Sequence, residues 1–373
     1  MKFLIPLLLL PFISFTQSQH QEIDVRSYAL DISVNDSSNV IFGKNEVVVQ
    51  FDKANAKELI LDLVQPNDEN KGMLVTSLRQ DNKQVQFKQV NNQLIIELNT
   101  IPSNKKSTFD IGYHGIPTDG LVISENKFGV RTFFGDNWPN RAHHWFPCID
   151  HPSDKATVSF KVTHPDEYTC VANGKFISRI PLKTGMTLTT YKSDYELPTK
   201  VTVFGLADLV SDTLSHPTNL EHVNFVYPQN KDAGFKDMNV AKDPLLFFET
   251  NIAAYPFEKL FNVQSTTRYG GMENAGCIFY DENAVTGEQG MENLIAHEIA
   301  HQWFGNSASE ADWSHLWLSE GFATYFTNLH LEQKYGRAKM NEQLIKDRNR
   351  VIRFRQMVEL PLKDTLTDEP LKM

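Results

Sequence analysis

Residues 296–306 read AHEIAHQWFGN and hold two histidines four positions apart. On an α-helix, positions i and i+4 lie on one face, so His297 and His301 can direct two imidazoles at one metal ion. Glu298 stands beside them, where a carboxylate can polarise a metal-bound water. The alternative is an ordinary helix with two core-facing or capping histidines. Because the pattern alone is only moderately specific, a third ligand has to decide.

That third ligand is a carboxylate further along the chain. A catalytic zinc ion usually has three protein ligands and one open position for water. Glu320 follows His301 after eighteen intervening residues, and the stretch NSASEADWSH between them can make a turn between two helices. A three-histidine site is excluded, since it requires glycine at 304 and histidine at 307, where Phe304 and Ser307 stand. The sequence therefore predicts a zinc site of two histidines and one glutamate.

Such a ligand set suits hydrolysis. Zinc lowers the pKa of its bound water towards neutrality and polarises a carbonyl group. Glu298 would take the proton from that water and pass it to the leaving amine. The chemistry predicted is cleavage of a peptide bond without a covalent enzyme intermediate.

A glycine-rich segment, TTRYGGMENAGCIFYDE (266–282), precedes the candidate metal helix. It is typical of an edge strand, which can pair with an extended peptide, and Gly270 and Gly271 allow close approach of a backbone. Glu273 would bind a free α-ammonium near the metal, so that only the first peptide bond is reached. Taken alone, a glycine turn with a solvated glutamate is the simpler interpretation.

The elements that must position these residues fall into two parts. Strand-like segments run to about residue 209, and helical spacing begins after about residue 235. We predict a β-sandwich-like domain at 22–210 and a second domain at 211–373, whose two longest helices end at glycine. The predicted strands are 28–34, 40–51, 58–63, 84–90, 93–98, 157–164 and 187–193, and the predicted helices are 243–255, 291–305 and 316–336.

Composition limits the classes of partner. The chain has 373 residues, 41% hydrophobic and 22% charged, which is ordinary for a globular protein of two domains. The net charge is −10 and no block of lysine and arginine stands out, so nucleic acid is not expected as a partner. Three cysteines are too few and too widely spaced for a disulfide scaffold or a cysteine zinc site. They are Cys148, Cys170 and Cys277.

The N-terminus has the layout of a secretory signal peptide. Lys2 precedes an apolar run at 3–15, and small and polar residues follow. The run is too short to span a bilayer comfortably, although a membrane anchor is the alternative. We expect cleavage near Ser18 or Gln19, so 1–18 would be the signal peptide. The mature protein would be exported, periplasmic or secreted, without stable membrane insertion.

Three segments together resemble a known family. GGMENAG, HEIAHQWFGN and WLSEGFATY are similar, in order and spacing, to motifs of the aminopeptidase N and leukotriene hydrolase family of gluzincins. The stretches at 146–160 and 255–264 also resemble family segments, so the likeness runs from about residue 25 to the end. It implies an α+β fold. An all-β saddle-like domain would precede a thermolysin-like α/β zinc catalytic domain, truncated at its C-terminal side.

The resemblance also implies the roles of individual residues. Glu298 would be the general base, and Glu273, helped by Glu320, would hold the amino terminus of a peptide substrate. The implied function is a zinc metalloaminopeptidase that removes the N-terminal residue from peptides with a free amino terminus. The implied ligands of one Zn²⁺ per chain are His297, His301 and Glu320. The implied substrate-binding residues are Gly270, Gly271, Met272, Glu273 and Asn274.

One departure from the family pattern concerns the oxyanion. Family members use a tyrosine downstream of the third ligand, typically in a Y-x-K-G context, and none follows Glu320 here. Tyr325 and Tyr335 are expected to be structural residues inside a helix. A catalytically impaired fragment that binds zinc and peptide is therefore one alternative. A bifunctional aminopeptidase and epoxide hydrolase is another, with which glycine at position 271 is compatible.

A second departure lies in the first domain, where many relatives place a glutamine or glutamate that grips the amino terminus. The segment at 133–146, FFGDNWPNRAHHWF, has neither, and Asp136 or Asn137 could take that role instead. His143 and His144 are expected to be strand or loop residues with ordinary hydrogen bonds.

Overall fold

The computed structural model describes residues 23–357 apart from 54 and 184. The predicted signal peptide at 1–18 lies outside these residues. Among the helices described, none is both long enough and apolar enough to cross a bilayer.

The first part of the chain is built from strands that alternate buried and exposed side chains. In β8 every second residue from Ser107 to Tyr113 is buried, so one face of the strand packs on the core. The strands are β1 (Ile23–Asn35), β2 (Ser38–Phe51), β3 (Glu58–Asp62), β4 (Gly72–Gln80), β5 (Lys83–Gln84), β6 (Phe87–Val90), β7 (Gln93–Glu97), β8 (Lys106–Ile116), β9 (Leu121–Glu125), β10 (Arg131–Gly135), β11 (Lys155–Pro165), β12 (Thr169–Ala172), β13 (Lys175–Pro181), β14 (Met186–Lys192), β15 (Leu197–Pro198) and β16 (Phe204–Ala207).

These strands form three sheets. The largest has the order β13-β14-β11-β1-β2-β8-β4-β5, with β15 paired to β11. Two smaller sheets have the orders β12-β16-β10-β9 and β3-β7-β6. In the largest sheet β1 runs parallel to β11 and antiparallel to β2. The register between β2 and β8 places Val47 opposite Phe109, and both side chains are fully buried. Burial of such apolar pairs holds the sheet against the core.

The second part combines one five-stranded sheet with helices. The sheet order is β17-β18-β19-β21-β20, and every residue of β19 is buried, as expected for a central strand covered on both faces. The strands are β17 (Val210–Leu214), β18 (Glu221–Val226), β19 (Lys259–Ser265), β20 (Gly271–Met272) and β21 (Cys277–Asp281). The helices are α1 (Lys231–Met238), α2 (Lys242–Asn251), α3 (Glu292–Ala300), α4 (Leu316–Tyr335) and α5 (Arg337–Met357).

This architecture confirms the predicted α+β class, with a β-rich first part and a helical second part. The helix predicted over 291–305 is wrong at its end, because α3 stops at Ala300 and the chain then turns. Gly305 lies in that turn with φ 122°, and a β-carbon there would collide with the hydroxyl of Ser319 on α4. Glycine is therefore required for the turn to pack against the second helix. The three cysteines are buried and free, which agrees with the prediction that they form no disulfide scaffold.

Candidate metal centre

Helices α3 and α4 bring together the three side chains predicted to bind metal. The possible ligand atoms of His297, His301 and Glu320 all lie within 4.8 Å of one another. Nε2 of His301 is 3.1 Å from Nε2 of His297 and 3.5 Å from Oε2 of Glu320. Nε2 of His297 is 3.4 Å from the same oxygen. Two imidazole nitrogens and one carboxylate oxygen are the donor set of many hydrolytic zinc sites, so these residues fit that ion.

The orientation of His301 is fixed by the groups on its other side. Its Nδ1 is 3.0 Å from the carbonyl oxygen of Phe304 and 3.1 Å from the hydroxyl oxygen of Ser319. Because a carbonyl only accepts, Nδ1 carries a proton, which leaves Nε2 as the nitrogen that would coordinate a metal ion. Ser319 immediately precedes Glu320. The contact of Ser319 with His301 was not predicted from the sequence. The available signal was that Ser319 is adjacent to a predicted ligand.

Acidic groups surround the two imidazoles. Burial raises the pKa of Glu298 well above its ordinary value, and Glu273 and Glu320 raise it further while His301 opposes them. Burial alone would lower the pKa of His301, but Glu320, Glu273 and Glu298 together raise it to about 10. Burial would also raise the pKa of Glu320, yet His301 and His297 outweigh it and lower that pKa. The negative potential of three carboxylates favours a cation at this place.

The strand β20 of the glycine-rich segment lies at the edge of the five-stranded sheet, as predicted. β20 pairs with β21 through Gly271 opposite Tyr280 and Met272 opposite Phe279, and it ends the strand order. The carboxylate of Glu298 packs directly against the backbone of Gly271. A β-carbon at position 271 would collide with this carboxylate. The close approach of strand and candidate base therefore depends on glycine at this position.

Two buried side chains after β20 have polar atoms without partners among the described residues. The side chain of Glu273 is buried, and its Oε1 has no hydrogen-bond partner. Asn274 is fully buried, and neither atom of its side-chain amide is satisfied. Buried polar atoms are normally hydrogen-bonded. These two side chains are therefore suited to a polar ligand, and the charge of Glu273 contributes to raising the pKa of both His301 and Glu298.

The acidic substitute considered in the first domain is occupied by arginines. Oδ1 of Asp136 accepts a hydrogen bond of 2.7 Å from Arg141, and its Oδ2 lies 3.8 Å from Nε of Arg268. Burial raises the pKa of Asp136, while Arg141 and Arg268 oppose that rise. Asn137 bonds to backbone carbonyls of Thr199 and Thr202 and accepts from an indole, so it is a structural residue.

The two adjacent histidines make ordinary contacts, as expected. Nδ1 of His143 lies 2.6 Å from Asp150, and Nδ1 of His144 lies 2.5 Å from the hydroxyl of Thr118. Burial would lower the pKa of His143, but Asp150 outweighs it and raises that pKa. Burial, with the neighbouring His143, lowers the pKa of His144 to about 4. They form a turn that closes on Asp150 rather than additional metal ligands.

An α+β chain with a His-His-Glu centre beside an open sheet edge has the architecture of a metallopeptidase catalytic region. Two models identify the particular family. The peptidase M1 N-terminal domain matches residues 25–201, and the peptidase family M1 domain matches residues 236–359. The chain belongs to the peptidase M1 family, which confirms the resemblance seen in its motifs.

Curated relatives are similar over about half of the chain. Glutamyl aminopeptidase of Sus scrofa is 29% identical over 221 residues, which are 56% of this chain and 24% of that protein. The Bos taurus protein of the same name is 30% identical over 57% of this chain and 23% of its own length. Aminopeptidase N of Oryctolagus cuniculus is 29% identical over 48% and 20%. The matched part of the chain thus spans between a fifth and a quarter of the length of these relatives.

Solved structures share the fold over most of the chain. An M1 zinc metallopeptidase of Deinococcus radiodurans superposes with a TM-score of 0.74 at 21% identity, covering 92% of this chain and 78% of that chain. Yeast LTA4 hydrolase gives a TM-score of 0.74 at 21% identity, covering 89% and 53%. These likenesses confirm the predicted fold class.

Proposed function

We propose that this chain carries the metal and substrate sites of a zinc aminopeptidase that releases the N-terminal residue from peptides. The observation that carries the proposal is the buried side chain of Glu273, whose Oε1 has no hydrogen-bond partner among the described residues and whose charge acts on His301 of the His-His-Glu centre. A free α-ammonium can donate a hydrogen bond to this buried oxygen, whereas an internal peptide bond brings no cation to it. His297, His301 and Glu320 would hold one Zn²⁺.

Each residue then has a defined task. Zinc, when bound, supplies a polarised water and a Lewis acid for the scissile carbonyl. Glu298 accepts the proton from the attacking water and delivers it to the leaving amine, which suits a carboxyl whose pKa is raised by burial. The open edge of β20, with Gly270 to Met272, pairs with the substrate backbone. Asn274 offers its unsatisfied amide to the same substrate.

The domain and location assignments are part of this proposal. Residues 22–210 would form the β-sheet domain, and residues 211–373 would belong to the catalytic domain. Residues 1–18 would direct export to the periplasm or the exterior. The substrates would be peptides with a free amino terminus, and no nucleic acid or stable membrane insertion is expected.

A panel of amino-acid p-nitroanilides with matching N-acetylated substrates tests this function. We expect cleavage of free-amine substrates only, and its loss when a zinc chelator is added. The panel should be run on this chain and on the full gene product, since the matched curated relatives are longer. Bound zinc without cleavage by the full gene product would contradict the proposal and favour a binding protein. Turnover of an epoxide substrate would add the second activity.

Replacing Glu273 with glutamine should lower kcat/KM for free-amine substrates by about 10- to 100-fold, as expected for loss of a charge-assisted hydrogen bond. Zinc content should not change, because Glu273 is not among the three converging donors. Steady-state kinetics on p-nitroanilides measure the effect. Glu288→Gln, at an exposed glutamate in the loop before α3, is the matched control and should leave kcat/KM unchanged. Equal kcat/KM in the Glu273 variant and its parent would remove the proposed role.

A further inference from the structure

The segment that leaves α3 grips the loop that carries Glu273. The backbone carbonyl of Glu273 accepts two side-chain amide donors, Nε2 of Gln302 at 2.9 Å and Nδ2 of Asn306 at 2.7 Å. Both amides are fully buried. Gln302 directly follows the metal ligand His301, so one short segment contacts both the metal centre and the loop at 273–276.

Gln302 holds that loop at two points. While its Nε2 donates to the carbonyl of Glu273, its Oε1 accepts the backbone N–H of Gly276 at 2.8 Å. The hydroxyl of Tyr255 also donates to this Oε1 at 3.3 Å and fixes which way the amide faces. An amide side chain offers a donor and an acceptor on one terminal group, so Gln302 can bind both ends of the loop.

The remaining carbonyls of the loop are also occupied. Ala275 accepts from the side chain of Asn173 in the first part of the chain at 2.8 Å. Gly276 accepts from the fully buried ammonium of Lys259 at 3.1 Å. The loop backbone is thus held by the segment after α3, by Asn173 and by Lys259. The side chains of Glu273 and Asn274 keep atoms without hydrogen-bond partners among the residues that the structure describes. Hydrogen bonds are concentrated on the backbone that orients the ligand-binding groups.

We propose that Gln302 and Asn306 are positioning residues that fix the Glu273 carboxylate relative to the metal ligands, and so set the selectivity for substrates with a free α-amine. The inference rests on the proposed function. Both residues would act through Glu273, because their buried side chains bond to its backbone carbonyl. Gln302 and Asn306 together form a clamp on the Glu273 carbonyl. Weakening this clamp lets the carboxylate move while the His-His-Glu centre stays intact. Binding of the substrate amine should therefore weaken, whereas binding of a metal-coordinating group should not.

Paired hydroxamate inhibitors separate these two effects. Leucine hydroxamate carries the α-amine, and 4-methylpentanohydroxamic acid lacks it, while both present the same metal-binding group. Inhibition constants would be measured on the full gene product for the parent, Gln302→Met and Asn306→Ser. We expect each variant to reduce the preference for the amine-bearing inhibitor by about tenfold, the effect of one hydrogen bond. Zinc content and the affinity of the amine-free inhibitor should not change.

Asn224→Leu is the matched control for a buried amide. Asn224 is fully buried and bonds to Asn262 at 2.9 Å within the sheet, away from the loop. It should lower Tm without changing the preference between the inhibitors. An unchanged preference in both clamp variants would overturn the proposal, as would an equal loss of affinity for both inhibitors. A parent protein without any preference for the amine would instead defeat the proposed function itself.

Discussion

Replacing Glu298 with glutamine should lower kcat by about a thousandfold, within the range that general acid–base catalysis contributes. Glutamine keeps the size of the side chain and cannot accept the proton. The Glu298 side chain is buried above Gly271, so no other described carboxylate occupies its place over the strand. We expect KM for free-amine p-nitroanilides to change little, because the amine is assigned to Glu273.

Zinc content distinguishes loss of the base from loss of the metal. Metal analysis should give the same zinc per chain in the Glu298 variant and its parent, since Glu298 is not one of the converging donors. Glu292→Gln is a control on the same helix. Glu292 bonds to Lys334 and Tyr335 rather than to the centre, and its replacement should leave kcat unchanged. A Glu298 variant that keeps kcat within tenfold of its parent would contradict the base assignment.

The three residues of the candidate metal centre could be singled out from sequence because their spacing follows helix geometry. Helical spacing places His297 and His301 on one face, and a single carboxylate at the right separation completes the set. The structure brings all three together. The hydrogen bonds that hold the backbone of the loop at 273–276 could not be predicted, because they join residues distant in sequence. Gln302 lies 29 residues from Glu273, and Asn173 lies 102 residues from the Ala275 carbonyl that it holds.

The helices and strands likewise divide into those that the sequence predicted and those that it did not. β2, β3 and β7 were predicted near their observed bounds because alternating apolar residues leave one face on the core, whereas β1 begins five residues before its predicted start. β4 was missed because polar residues interrupt its apolar pattern, and β8 was missed although Phe109, Ile111 and Tyr113 alternate with less buried residues. The early end of α3 is set by tertiary contacts. After Ala300 the chain turns, and the amides of Gln302 and Asn306 reach the loop. α5 was missed because its sequence is polar, without a clear apolar stripe.

Breaking the buried ion pair between the two parts of the chain should destabilise the fold by about 3–5 kcal/mol. Nζ of Lys200, between β15 and β16, lies 2.6 Å from Oε1 of Glu310, between α3 and α4, and both side chains are buried. Removing one partner leaves the other charge buried and uncompensated. We therefore expect Lys200→Met and Glu310→Gln each to lower Tm by about 5–10 °C, measured by thermal unfolding.

A double variant shows whether charge or packing is responsible. Lys200→Met/Glu310→Met removes both charges and keeps apolar volume, so its Tm should recover most of the loss seen in the single variants. Lys71→Met, which breaks an exposed pair with Glu69, should leave Tm unchanged. Because Glu310 lies in the connection between His301 and Glu320, the single variants should also bind zinc less tightly. A double variant no more stable than the singles would mean that packing, rather than the unpaired charge, accounts for the loss.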